Sequence, residues 1–272
     1  MGFGIKSVKA GVQTFRKGWL SFFLIVIVLS ITFIPAILIM YIFLQNVTDI
    51  LGLFLFTLTF FSFLIFYSLL QGIVQAIGNE VSEIEQGRAE NMTLYIKRNG
   101  KALIIAGIII SGLAFICTTP LLIFNYSLVS NYIIPPDQIL VIIFSFASLC
   151  ITILINSIFC LAISAIIFNN LDATPALTKS FNLFKTHYKS MIFITAIFES
   201  ILWAIVSLLQ IFSDNPIIFN LEFALLILLA IIILFFVFPL MNLTYFHLYL
   251  KITLPSKVGL EKSDEDIPIK IV

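Results

Sequence analysis

From Trp19 to Leu44 the chain runs for 26 residues without a charged side chain, and five more apolar stretches follow. The six lie at roughly 19–44, 50–75, 102–125, 139–168, 190–212 and 217–250. About 20 apolar residues carry an α-helix across the hydrocarbon core of a bilayer, so each stretch is long enough to span one. Only 11% of residues are charged and 61% are hydrophobic, against about 25% charged in an ordinary soluble domain. A water-soluble fold of this size could not hide so much apolar surface. The expected fold is therefore all-α: a polytopic integral membrane bundle of six helices over 1–253, followed by a charged tail, 254–272. The first stretch is also longer than the apolar core of a secretory signal (about 7–15 residues) and reads as a retained span. Pro239 is expected to kink the last one.

The charges are segregated. The connections after the first, third and fifth stretches contain no Lys or Arg and carry Asp49, Asp137 and Asp214 instead. All fifteen basic residues lie before the first stretch, in the 76–101 and 169–189 connections, or after the sixth stretch. Cytoplasmic loops are enriched in Lys and Arg, so this pattern predicts a cell-membrane protein with both termini and both long connections in the cytoplasm.

Two basic segments have helical amphipathicity. In 176–193, Leu177, Phe181, Phe184 and Tyr188 share one face, while Lys179, Asn182, Lys185 and Lys189 share another. Thr174 and Pro175 offer an N-cap and a first helical residue. At the start of the chain Val8, Val12, Phe15 and Trp19 repeat the apolar spacing, Arg16 matches Lys185, and Ser21 matches Ser190, all at a constant offset of 169 residues. Such helices lie in the membrane interface, with cations reaching anionic headgroups. The headgroup candidates are Arg16, Lys17, Lys179, Lys185 and Lys189. The segment "YIKRNGKAL" before the third stretch is a weaker version, so the chain reads as three units of basic interfacial helix plus two spans: a three-fold pseudo-repeat. After the second stretch, Val74, Ile77, Val81 and Ile84 continue an apolar stripe beside Glu80, Glu83 and Glu85 toward Gly87. This is expected to project into the cytoplasm and offer a docking place for a protein partner.

The basic aromatic N-terminal segment, the block "DATPALTKSFNLFKTHYKSMIF" and the closing "FPLMNLTYFHLYLKI" together resemble uncharacterised six-span families of archaea and bacteria. These are related to the membrane domain of glycerophosphoryl diester phosphodiesterase. The resemblance covers nearly the whole chain and implies a multi-pass module. In the phosphodiesterase catalysis belongs to a separate soluble barrel, for which this chain has no room, so the resemblance carries over no catalytic residue.

Ionisable groups at mid-membrane are costly, about 2.5–3.5 kcal/mol on insertion scales, and so are functional candidates by default. Glu199, about nine residues into the fifth stretch, is the foremost, as a proton- or cation-coupled site or a structural hydrogen-bonding group. Glu222 is closer to the outer edge. In the fourth stretch Ser145, Ser148, Thr152, Asn156, Cys160 and Ser164 recur every three or four residues. That makes one face of small and polar groups, either a packing surface or the wall of a hydrophilic path, with Asn156 facing Glu199. Gly107 and Ser111 in the third stretch are read in the same two ways. Gln71, Gln75 and His247 are expected near water at the inner ends of their spans. Cys117, Cys150 and Cys160 lack metal-ligand spacing, the chain has two histidines, and no phosphate loop, zinc-protease motif or nucleophile elbow is present. No catalysis, cofactor, metal or nucleic acid is expected. The bilayer and its anionic headgroups are the expected partners. The primary reading is a non-catalytic module organising lipid or partner proteins, with a transporter or channel component built on Glu199, Asn156 and Thr152 as the alternative.

Overall fold

The structure, a computed structural model, describes residues 2–44, 67–83, 91–130, 138–213 and 232–254. Among them the regular elements are all helical. They are α1 (Gly2–Leu44), α2 (67–83), α3 (Met92–Ser130), α4 (Gln138–Phe159), α5 (Ala162–Asn169), α6 (Ala173–Ser213) and α7 (Phe238–Thr253). A π-helical turn, Ile233–Val237, leads into α7. Two stretches of the described residues, Thr93–Thr118 and Phe146–Asn169, are long and apolar enough to cross a membrane, with mean hydropathies of 2.2 and 2.5.

α1 and α6 are each one helix bent at a single residue. The bends fall at Gly18 (φ −107°, ψ 16°) and His187 (φ −123°, ψ 20°), separated by the same 169 residues as the sequence pattern. Burial follows the same register. Gly4, Ser7, Gly11, Phe22, Ile25 and Val26 are buried in α1, and so are their counterparts Ala173, Ala176, Ser180, Met191, Ile194 and Thr195 in α6. Before each bend the helix therefore has three faces. A small-residue face packs on the bundle, an apolar face is left open, and a basic face borders it. The open face includes Ile5, Val12 and Trp19 in α1, and Phe181 and Tyr188 in α6. α3 has no interior bend, so the middle unit departs from the pattern. α6 begins at Ala173, with Ala176 N–H donating to Asp172 O at 3.0 Å. Pro175 thus sits in the first turn, where its missing N–H costs nothing, and Thr174 is already helical rather than the cap.

The first helix of each unit lies against the last helix of the unit before it. α1 packs on α7, and α6 on α4 and α5. α3 meets α2 where a Cβ at Gly72 would strike Leu103 and one at Gly107 would strike Ser68. α2 does not project from the bundle as its stripe suggested. Val74, Ile77 and Val81 are fully buried, Val81 presses on Gly18, and Leu243 presses on Gly78. Glu80 is held by Asn91 Nδ2 at 2.7 Å and Tyr95 OH at 2.8 Å. The stripe is core up to Val81 and Glu83 is exposed, while Ile84, Glu85 and Gly87 lie outside the described residues.

The fourth apolar stretch is not one helix. α4 ends at Phe159, Cys160 and Leu161 form a turn, and α5 restarts at Ala162. The break leaves the Ile158 carbonyl near a helix end, and the buried Ser180 hydroxyl donates to it at 2.8 Å. Pro239 acts one turn earlier than a simple kink. Having no N–H, it cannot continue the ladder, and the backbone widens into the π turn, where Phe238 N–H reaches Ile233 O.

Candidate functional site

α2, α3, α4, α6 and α7 enclose a cavity of about 290 Å³. Its polar wall is assembled one helix at a time. α2 gives Tyr67, Gln71 and Gln75, one turn apart, so that they share a face. α3 gives Ser111 beside Gly107, whose missing side chain lets α2 come close. α4 ends in the cavity with Asn156, Phe159 and then Cys160, α6 gives Glu199, and α7 gives Asn242 and Tyr245.

Glu199 is half-buried and accepts a hydrogen bond from Asn156 Nδ2 at 2.6 Å. Two polar groups in apolar surroundings thus find each other, and one carboxylate oxygen is satisfied. The Tyr67 hydroxyl bonds to Gln71 and lies within the electrostatic reach of Glu199. Tyr245 OH donates to Thr195 Oγ1 at 3.3 Å. At one end of the cavity the three units meet in a polar junction. Ser164 donates to Gln75 Oε1 at 2.8 Å, and Gln75 Nε2 reaches Asn242 Oδ1 at 3.5 Å. Asn242 Nδ2 in turn satisfies Phe238 O at 2.9 Å, a carbonyl whose helical donor remains in place and which therefore accepts twice. Gln75 is 1% exposed. The expected water-facing role for Gln75 is thus replaced by a buried structural one, because the C-terminal end of α2 is covered by α1 and α7.

Thr152 lies off the cavity and returns its hydroxyl to Ser148 O at 3.0 Å. The polar face of the fourth stretch is therefore divided. Thr152 bonds back within α4, Asn156 and Cys160 reach the cavity, and Ser164 locks the junction from α5. Glu222 and the Ser145 side chain lie outside the described residues. His247 is half-buried and shares a 2.7 Å hydrogen bond with Thr14, tying the first arm to α7. Thr195, Tyr67 and Tyr245 were not singled out from the sequence. Their one legible signal is that each is a hydroxyl inside or beside an apolar run.

Of the headgroup candidates, Lys179 is engaged inside the protein. Its Nζ donates to Asn169 Oδ1 at 3.0 Å and lies 5.4 Å from the centre of the Tyr249 ring. Tyr249 OH donates to the same Asn169 oxygen, and burial pulls the Lys179 pKa down. Lys185 and Lys189 are exposed, over the rings of Phe181 and Tyr188 at 4.5 and 6.0 Å. Arg16 and Lys17 are exposed on the matching face of α1.

Among the described residues no group of three or more His, Cys, Asp or Glu could hold a metal ion. Comparison of the chain with protein-family models, curated proteins and solved structures gives no match. The chemistry of the cavity has to be read from its own geometry.

Proposed function

We propose that this is a six-span membrane protein, with both termini and the basic connections in the cytoplasm, whose bundle binds a small solute around Glu199 and passes it across the bilayer. The cavity carries this reading. A chain that needed only to fill a bilayer would close its centre with Leu and Phe, whereas this one gathers a carboxylate, four amides and two phenols from four helices around open space. Binding sites in helical membrane proteins have this character, since polar side chains at depth are kept where they meet a path or a ligand. The volume suits a solute smaller than a drug, whose pockets begin at about 300 Å³. Among the described residues no nucleophile with an adjacent base is seen on the wall, which favours transport over catalysis.

The test is shrinkage of proteoliposomes under osmotic gradients of glycerol, urea, tetramethylammonium or glutamate. At least one probe should permeate about tenfold faster than through protein-free vesicles, and Asn156→Leu should slow it. Rates equal to protein-free vesicles for every probe would overturn the reading. An impermeant amine reagent on intact cells should leave Lys97 and Lys185 unmodified, and their labelling would reverse the orientation.

The two bent arms favour a second role alongside the first, the organising of anionic lipid. Each presents aromatic residues beside exposed cations, Trp19 with Arg16 and Lys17, and Tyr188 with Lys185 and Lys189. Replacing those four cations by Gln should lower the phosphatidylglycerol that co-purifies with the protein. Unchanged lipid retention would remove this role.

A further inference from the structure

We infer that the solute taken by this cavity is a small organic ammonium ion, held by the Glu199 carboxylate and surrounded by the rings of Tyr67, Phe159 and Tyr245. The inference rests on the solute-binding reading and adds the chemical class.

Charge comes first. Glu199 is the one ionisable acid or base among the groups that line the cavity, apart from the tyrosines and Cys160, and no Lys, Arg or His among the described residues joins them. A carboxylate accepts at two oxygens and about four lone-pair positions. Asn156 takes one oxygen at 2.6 Å and supplies no charge, so the ionised acid has spare acceptor capacity and no cation beside it. An anion entering here would meet repulsion without a compensating cation. A neutral polyol would leave the charge unbalanced in a medium that screens it poorly. A cation balances it.

Size and shape then separate the cations. A bare metal ion wants six or more oxygen ligands close around it. This wall offers one carboxylate, and its other oxygens, the amides and hydroxyls of α2, α3, α4 and α7, stand around a space of about 290 Å³. Three aromatic rings share that space, and ring faces attract cations, alkylated ammonium groups above all, since these shed water readily and match an apolar wall. Gln75 and Asn242 are already bonded to Ser164, to each other and to the α7 backbone, so they form one end of the cavity and leave recognition to the carboxylate and the rings.

The chain contains its own reporter. Cys160 lines the cavity, where its thiol contacts Ser157 O at 3.4 Å and the side chain of Thr195. Cys117 and Cys150 are exposed on the outside of the bundle and can be replaced by Ala. In that background the purified protein in nanodiscs is treated with three methanethiosulfonates, aminoethyl (cationic), methyl (neutral) and sulfonatoethyl (anionic). Rate ratios within one protein cancel the thiolate fraction, which all three reagents share. Modification by the cationic reagent should outrun the anionic one by about tenfold or more. Tetramethylammonium should protect Cys160, while neopentyl alcohol, its neutral isostere, should not. Glu199→Gln should collapse the ratio and abolish protection, with unchanged helical circular dichroism certifying the fold. If the neutral reagent reacts but the cationic one has no advantage, or if protection by tetramethylammonium survives Glu199→Gln, the ammonium assignment is wrong and the cavity reading stands. If none of the three reacts and tetramethylammonium also leaves the tyrosine fluorescence of the protein unchanged, both readings fall.

Discussion

Gly107→Ala is the most direct test of how the cavity wall is held. A Cβ at Gly107 would lie 1.5 Å from Ser68 Oγ, 2.5 Å from Ser68 Cβ and 3.7 Å from Ser68 Cα. Rotating the serine side chain relieves the first contact but cannot move Cβ. Carbon atoms pack at about 3.5–4.0 Å, so α2 and α3 must part locally by about 1 Å. Overpacking of a filled interior costs about 1–3 kcal/mol, and a contact this short belongs at the upper end. Ala offsets part of it through its helix propensity, worth about 1 kcal/mol over Gly. The net expectation is a destabilisation of about 1–2 kcal/mol, read by reversible unfolding from mixed micelles with increasing SDS. Ser68→Gly removes both offending atoms. In that background Gly107→Ala should stop being destabilising, giving a coupling of at least about 1 kcal/mol in the double-mutant cycle. A neutral or stabilising Gly107→Ala without coupling to Ser68 would refute the close approach of α2 and α3.

Two further outcomes follow from buried polar and charged groups. Gln75→Leu removes the acceptor of Ser164 and a donor to Asn242 at a buried junction, so it should cost about 1–3 kcal/mol in the same unfolding assay; a change below about 0.5 kcal/mol would mean the junction contributes no specificity. Lys251 lies just past the last apolar stretch, and its pKa is held below the usual 10.5, first by burial and then by neighbouring Lys6. A cation whose pKa is depressed on folding weakens the fold while the unfolded chain holds that proton, and stability rises with pH through the window in which the unfolded chain binds more protons. That penalty is fully present below the folded pKa and is lost as pH rises toward 10.5. Lys251→Met should therefore raise the melting temperature at about pH 7, with the advantage shrinking at more alkaline pH, and an advantage independent of pH would point to packing instead.

The helices were legible because apolar runs and 3.6-residue periodicity are local signals, and the described residues are helical wherever those signals were strong. The Asn156–Glu199 contact could be anticipated for a simple reason: two hydrogen-bonding side chains at similar depth in apolar surroundings have few other partners. The bends at Gly18 and His187 were not legible as bends, since neither residue is a proline and glycines elsewhere, such as Gly107, sit in straight helix. The turn at Cys160 and Leu161 carries no breaker at all. It is specified from a distance, by the Ser180 hydroxyl that satisfies the Ile158 carbonyl. Gln75 and the Val74–Ile77–Val81 stripe were misjudged on the same ground. Distance from the end of an apolar run was taken for exposure, whereas burial there is decided by α1 and α7 crossing over the end of α2.

The repeat separates what builds the bundle from what uses it. At the offset that aligns the two bends, buried packing positions correspond, Phe22 with Met191 and Ile25 with Ile194. The groups at or beside the cavity do not: Thr195, which receives Tyr245, corresponds to Val26, and Glu199 corresponds to Ser30. One arm therefore bends, docks by its small face and presents its basic edge without an acid at this place. If Glu199 were needed to hold the helices together, its unit would depend on a device the equivalent unit lacks. Glu199→Ser, which installs the first unit's residue in the third, tests this. The Asn156 amide keeps a hydroxyl or a water as acceptor, so the cost should stay within about 1–2 kcal/mol, with the protein still monodisperse in detergent and its helical circular dichroism unchanged. Protection of Cys160 by tetramethylammonium should vanish in the same preparation. A variant that aggregates or loses helicity would make the carboxylate a fastener of the bundle, and an intact variant that still protects Cys160 would take the ammonium site away from it.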